Sequence, residues 1–201
     1  MKALPLAALL LLAPVPGRAQ APAAAEAPKA RPRVRIDTSY GPVVVELEPG
    51  LAPRTVANFL AYVKAGHYAG TIFHRVIPGF MVQGGGLDKD LNEKPGRDPI
   101  PNEAPETFAA GLKNTRGTIA MARTTDPGSA TAQFYINLVD NPPLDFKDRS
   151  VEGYGYCAFG RVVSGMEAVD KIAQVTTVMR KGMQNVPEYA VRIKAAEVLP
   201  E

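Results

Sequence analysis

Beyond residue 32 the chain alternates short runs of period-two patterning with two stretches of period 3.6. Val34, Ile36 and Thr38 alternate with Arg35 and Asp37, which predicts a half-buried strand. Gly41-Pro42 is expected to turn the chain into a second apolar run at 43–47, giving an antiparallel hairpin. After Pro53 the apolar positions Val56, Phe59, Leu60 and Val63 fall at i, i+3, i+4 and i+7, and Gly66 ends the pattern, so one amphipathic helix is predicted. Residues 72–76 and 81–84 read as short strands. The stretch 85–115, rich in Gly, Pro, Asn and Asp, predicts no regular element and is expected to be functional or disordered. Strand patterns return at 118–122, 134–138 and 156–163. A second helix is predicted over about 164–174 on Met166, Val169 and Ile172, and Val191, Ile193 and Ala195 mark a last strand. Many short strands with two isolated helices do not make βαβ units. They predict a mainly β fold whose largely antiparallel sheet closes on itself.

The first 32 residues follow neither period. Lys2 precedes an apolar run at 3–13, broken once by Pro5, and Pro14, Pro16 and Gly17 then lead to small residues that offer cleavage after Ala19 or Ala21. This order of charge, apolar run and small residues is that of a secretory signal peptide, expected at 1–21. Residues 22–32, with Pro22, Pro28 and Pro32 among alanines, lack the apolar bulk for a core and read as a linker, leaving 33–200 as the domain. No window holds 18 uninterrupted apolar residues, so no ordinary membrane span and no stable membrane insertion after cleavage are expected.

Composition narrows the chemistry. A chain of 201 residues with 46% apolar side chains is long enough for one well-cored domain. The net charge of +3 falls to +1 once Lys2 and Arg18 are removed. No Lys/Arg cluster is interleaved with aromatics, which disfavours nucleic acid as a partner. One cysteine and two histidines are too few for a disulfide framework or an intrinsic zinc site, so no metal is expected. His67 and His74 stand without a Gly-x-Ser-x-Gly elbow, and Gly84-Gly85-Gly86 lacks the spacing of a dinucleotide or phosphate loop, so neither a covalent mechanism nor a cofactor is expected. Cys157, within an apolar run, is expected to be a buried thiol, and His74, within a strand, a hydrogen-bonded structural residue.

One stretch carries more. In Phe73-His74-Arg75-Val76-Ile77-Pro78-Gly79-Phe80-Met81-Val82-Gln83-Gly84-Gly85, one Arg and one Gln punctuate an otherwise apolar or turn-forming run. If Pro78-Gly79-Phe80 is a three-residue loop, Ile77 lies opposite Met81 and Arg75 opposite Gln83 on one face; a two-residue loop would separate them. The first arrangement is predicted, with the Gln oxygen holding the guanidinium. From spacing alone, the competing reading is an Arg that snorkels to solvent from a barrel surface.

These thirteen residues resemble the signature of the cyclophilin family of peptidyl-prolyl isomerases. Further blocks match in order: Asn114-Thr115-Arg116-Gly117-Thr118-Ile119-Ala120-Met121-Ala122-Arg123, then Ala132-Gln133-Phe134-Tyr135-Ile136-Asn137, Leu144-Asp145, and Tyr156-Cys157-Ala158-Phe159-Gly160-Arg161-Val162-Val163. The signal peptide, Arg123 and Tyr156 resemble the bacterial secreted branch, which implies a periplasmic location. The resemblance implies a closed eight-stranded antiparallel barrel capped by two α-helices. It implies Arg75 as the catalytic donor, Gln83 as its orienting partner, and Phe80, Met81, Tyr135 and Leu144 as the apolar socket for proline, with Ala122 on the groove for the preceding residue.

Three positions depart from the family pattern. Tyr156 stands where many members carry His, and its hydroxyl is expected to donate to the proline carbonyl. Tyr135 replaces the usual Phe. Pro143 replaces the Trp whose indole N–H contacts cyclosporin in many eukaryotic members, so only weak cyclosporin binding is expected. The implied substrates are proline-containing unfolded or nascent exported polypeptides, handled by a monomer. The alternative is a periplasmic chaperone or proline-peptide-binding module in which isomerisation is incidental.

Overall fold

The computed structural model describes residues 30–200; the expected signal peptide and all but the last three residues of the expected linker lie outside them. Eight strands close into a barrel in the order β1 (Arg33–Thr38), β10 (Val191–Val198), β3 (Thr71–Ile77), β4 (Met81–Asp88), β6 (Phe134–Asn137), β5 (Thr118–Met121), β7 (Ala158–Ser164) and β2 (Gly41–Leu47), which pairs back onto β1. Every pairing is antiparallel. The expected closed barrel is therefore the observed one.

Strand alternation divides the apolar side chains between two clusters. Val82 of β4, Ile119 of β5 and Ile136 of β6 face one way, into the main core with Val34, Ile36, Val45 and Ile193. Their chain neighbours Met81, Ala120 and Tyr135 face the other way and form a second cluster with Leu112, Ala122 and Ala158. Helix α1 (Pro53–Lys64) buries Val56, Phe59 and Val63 in the main core, where the Phe59 ring meets Tyr68, Phe134 and Phe159 at 5.2–5.7 Å between centroids. Burying such a ring stabilises the fold by about 1.5–3 kcal/mol. Helix α3 (Met166–Ile172) adds Ala168, Val169 and Ile172 to the same core.

Several local expectations are corrected. The first turn is Ser39-Tyr40, not Gly41-Pro42, because the Thr38 hydroxyl accepts from the Tyr40 N–H at 3.0 Å and donates to the Gly41 carbonyl at 2.7 Å. The segment 85–115 is not featureless: β4 runs on to Asp88, and a short helix α2 spans Ala104–Ala109. β4 continues through three glycines because the packing leaves no room for side chains. A Cβ on Gly84 would lie 2.7 Å from the Ile72 carbonyl oxygen, and one on Gly85, at φ +88°, would lie 2.8 Å from the Phe134 ring. A hairpin of β8 (Thr177–Arg180) and β9 (Met183–Pro187), turning at Lys181-Gly182 with both residues at positive φ, stands apart from the barrel sheet and had no signal in the pattern. Among the described residues the two expected helices are thus joined by a third, six-residue one and by one 3-10 turn at Pro142–Leu144. β7 begins at Ala158, so Tyr156 and Cys157 precede the strand. No helix among the described residues is long and apolar enough to cross a membrane.

Candidate active site

The β3–β4 connection sets the site. Ile77 pairs with Met81, Val76 with Val82 and Arg75 with Gln83, the register of a three-residue loop, with Gly79 at φ +70° and the Phe80 N–H donating to the Ile77 carbonyl at 3.1 Å. Arg75 and Gln83 consequently share a face, and an Arg75 Nη1–H donates to Gln83 Oε1 at 3.4 Å. The other end of that amide, Gln83 Nε2, donates to Gln133 Oε1 at 3.0 Å, so its orientation is fixed from both sides. Arg75 has no other hydrogen-bond partner and no ion pair among the described residues.

A cavity of about 100 Å³ opens beside this pair, lined by Arg75, Phe80, Met81, Gln83, Ala122, Tyr135, Leu144 and Tyr156, together with Arg123. All eight side chains singled out from the sequence meet there, carried by β3, the β3–β4 loop, β4, β6, the 3-10 turn and the segments flanking β5 and β7. Its volume is that of roughly three waters in the liquid, enough for a small ring. The Phe80 carbonyl accepts from Leu138 N–H at 2.9 Å and Asn141 Nδ2 at 3.0 Å, which pins the loop to the end of β6.

Three contributors were not singled out as site residues. Arg123 places its guanidinium 4.5 Å from the centre of the Tyr156 ring, with Nε donating to Gly155 O at 3.0 Å and Nη1 to Thr124 O and Thr125 O at 2.9 and 3.1 Å. Its Nε and Nη1 are engaged by the backbone and its guanidinium lies over Tyr156, so it holds that ring in place, whereas Arg75 has a single side-chain bond. Gln133 fixes Gln83, and Asn114 lies behind the cavity against Tyr135. All three stand in the matched blocks, the one signal by which they were open to recognition.

The cavity wall contains no carboxylate, thiol or imidazole. Tyr135 is buried, which pushes its phenol well above the ordinary range, with Tyr156 nearby as a second cause, so it stays protonated. What remains is a guanidinium donor array facing apolar walls, an arrangement suited to stabilising developing negative charge or a lone pair rather than to moving protons or forming covalent bonds. A second hollow of about 250 Å³ shares Gln83, Ala122 and Arg123 and continues past Gln133, Thr131 and Glu93.

The residues outside the site behave differently. Cys157 is buried with its thiol pushed up to about 12, chiefly by burial, and its Sγ lies 3.5 Å from Thr55 Oγ1. His74, next to Arg75 in β3, is buried and its pKa is lowered to about 4, chiefly by burial. Its Nδ1 has no hydrogen-bond partner, so it is less fully bonded than expected of a structural histidine. Among the described residues no group of three or more His, Cys, Asp or Glu side chains is placed to hold a metal ion.

Comparison with known proteins matches residues 33–198 to the family model of cyclophilin type peptidyl-prolyl cis-trans isomerases. The chain is 51% identical to the peptidyl-prolyl cis-trans isomerase cyp18 of Streptomyces antibioticus, over 83% of this chain and 98% of that one. It is 52% identical to peptidyl-prolyl cis-trans isomerase B of Escherichia coli strain K12, over 82% and 98%. Among solved structures it resembles a cyclophilin type isomerase of Cryptosporidium parvum determined in the presence of the dipeptide Ala-Pro, with TM-score 0.64 and 28% identity over 84% of this chain and 99% of that one.

Proposed function

The chain belongs to the cyclophilin family and is a peptidyl-prolyl cis-trans isomerase, and from that premise we propose that Arg75 stabilises the twisted amide of an X-Pro bond held in the cavity. Rotation about this bond is slow because amide resonance must be broken, at a barrier of about 18–20 kcal/mol. In the twisted state the prolyl nitrogen regains a lone pair. A donor aimed there favours that state over both planar forms, which is what catalysis requires. No bond has to be made or broken.

The observation that carries this reading is the engagement of Arg75: one bond to Gln83, whose amide is in turn tied to Gln133, with the remaining guanidinium N–H groups unpartnered at the cavity. Such a donor needs no reorientation when substrate arrives. Phe80, Met81, Tyr135 and Leu144 receive the proline ring and keep water away, strengthening the guanidinium interaction. Tyr156, its ring held by Arg123, donates its hydroxyl to the proline carbonyl, and the hollow beside Ala122 receives the residues before proline.

The substrates on this reading are proline-containing unfolded or nascent polypeptides exported to the periplasm, where the processed protein acts as a monomer; the signal-like order of residues 1–21 supports that location. Arg75→Ala tests the assignment. It should lower kcat/KM on a prolyl peptide by about a hundredfold or more while peptide binding changes little; if holding unfolded chains is the function instead, suppression of aggregation stays largely intact in the same variant. Retention of most of the isomerase activity would refute the role given to Arg75.

A further inference from the structure

We propose that Asn114 is a positioning residue that sets the width of the socket through the Tyr135 hydroxyl, an inference that rests on the isomerase reading above. Asn114 touches no part of the cavity surface, yet it is bonded to three residues that do. Its Nδ2 donates towards the carbonyls of Leu144 at 3.1 Å and Tyr156 at 3.2 Å and towards Asp145 Oδ1 at 3.0 Å. Its Oδ1 accepts from the Tyr135 hydroxyl at 2.8 Å. The side chain is buried, as is Tyr135.

The chemistry of these partners removes any ambiguity about which way the amide points. Two carbonyls and a carboxylate are acceptors only, so the NH₂ end must face them and the oxygen must face Tyr135. The Tyr135 hydroxyl therefore spends its only proton on Asn114 and has none for the substrate. A tyrosine in this place leaves the socket as apolar as a phenylalanine would, and its hydroxyl becomes a tether.

The tether joins one wall to two others. Tyr135 comes from β6, Leu144 from the 3-10 turn, and Tyr156 from the segment before β7, three consecutive segments that Asn114, from ahead of β5, holds together. Leu144 and Tyr156 are also bonded to each other, the Tyr156 N–H donating to the Leu144 carbonyl at 2.9 Å. The Asn114 backbone is fixed too, its N–H donating to Asp145 Oδ1 at 2.7 Å and its carbonyl accepting from Asn141 N–H at 2.8 Å. Widening the cavity by moving Leu144 and Tyr156 away from Tyr135 has to break bonds to one amide group. The expected consequence is selectivity for ring size: five-membered proline fits, and the six-membered ring of pipecolic acid does not.

Tyr135→Phe removes the tether without changing the ring. On a prolyl peptide it should raise KM about three- to tenfold, the loss expected of one buried hydrogen bond, with kcat within about twofold. The preference for a prolyl over a pipecolyl peptide in kcat/KM should fall by a similar factor. Asn114→Ala, which also removes the bonds to Leu144, Tyr156 and Asp145, should do at least as much, and adding Tyr135→Phe to it should produce little further change because the hydroxyl then has no Asn114 oxygen to meet. Unchanged KM and ring-size preference in Tyr135→Phe would overturn the proposal, as would a loss confined to kcat. Tyr135→Phe carries the test alone if Asn114→Ala does not fold. A wild-type protein inactive on both peptides would instead refute the isomerase reading.

Discussion

At the residue scale, the site depends on which guanidinium is the less engaged by the protein. Arg75 and Arg123 both line the cavity, but Arg123 is held by three carbonyls and a ring, and Arg75 by a single side-chain oxygen. The pairing of Arg75 with Gln83 was legible in the sequence because it follows from strand alternation and a local loop length. The work of Gln133 and Asn114 was not, since their partners lie 50 and 21 residues away and only the pairing of β6 with β4 and β5 brings them together. A further residue-scale expectation concerns Pro143, which lines the broad hollow beyond Leu144 and Tyr156. Proline has no N–H to offer an acceptor. Cyclosporin should inhibit the wild-type enzyme only weakly, and Pro143→Trp should lower the inhibition constant by about tenfold, the value of one added hydrogen bond. A nanomolar inhibition constant for wild type in a prolyl-peptide assay would contradict this.

At the scale of the element, helix α1 shows what the local pattern conveys and what it omits. Pro53 and the period of Val56, Phe59 and Val63 were sufficient to predict the helix, and the observed start is Pro53 itself. Its cap was not readable, because Ala52 at the N-cap provides no side-chain bond. The buried Glu103 carboxylate supplies it from just before α2, accepting from Arg54 N–H at 3.1 Å and from the Thr55 N–H and hydroxyl at 2.8 Å each. Negative charge at a helix N-terminus is favoured by the helix dipole as well. Glu103→Ala should destabilise the protein by about 1–3 kcal/mol, read as a lower urea midpoint at unchanged m-value; a midpoint equal to that of wild type would show the cap to be dispensable. The β8–β9 hairpin leaves no mark in the local pattern for a different reason. Most of its side chains are exposed or only partly buried, so no alternation of apolar and polar residues marks it.

At the scale of the whole molecule, barrel closure followed from counting strands, and its titration behaviour follows from what closure buries. His74 ionises in the folded state only near pH 4 against an ordinary value of 6.5. Between those values the unfolded chain binds a proton that the folded one refuses, so stability is full above about pH 6.5 and declines as the pH falls towards 4. The total lost through this residue is of the order of 3 kcal/mol, and His67, also lowered chiefly by burial, acts in the same direction. Melting temperatures recorded from pH 7 to pH 4 should fall, and fall less steeply in His74→Gln; equal slopes in the two proteins would place the acid sensitivity elsewhere.

The two apolar clusters lie on opposite faces of the same strands, Val82, Ile119 and Ile136 within and Met81, Ala120 and Tyr135 without. The sheet is thus a partition wall. A prolyl peptide can dock, swivel and depart on its outer side while the inner side stays sealed, so turnover asks nothing of the core and the closed ladder offers the peptide no open edge to pair with.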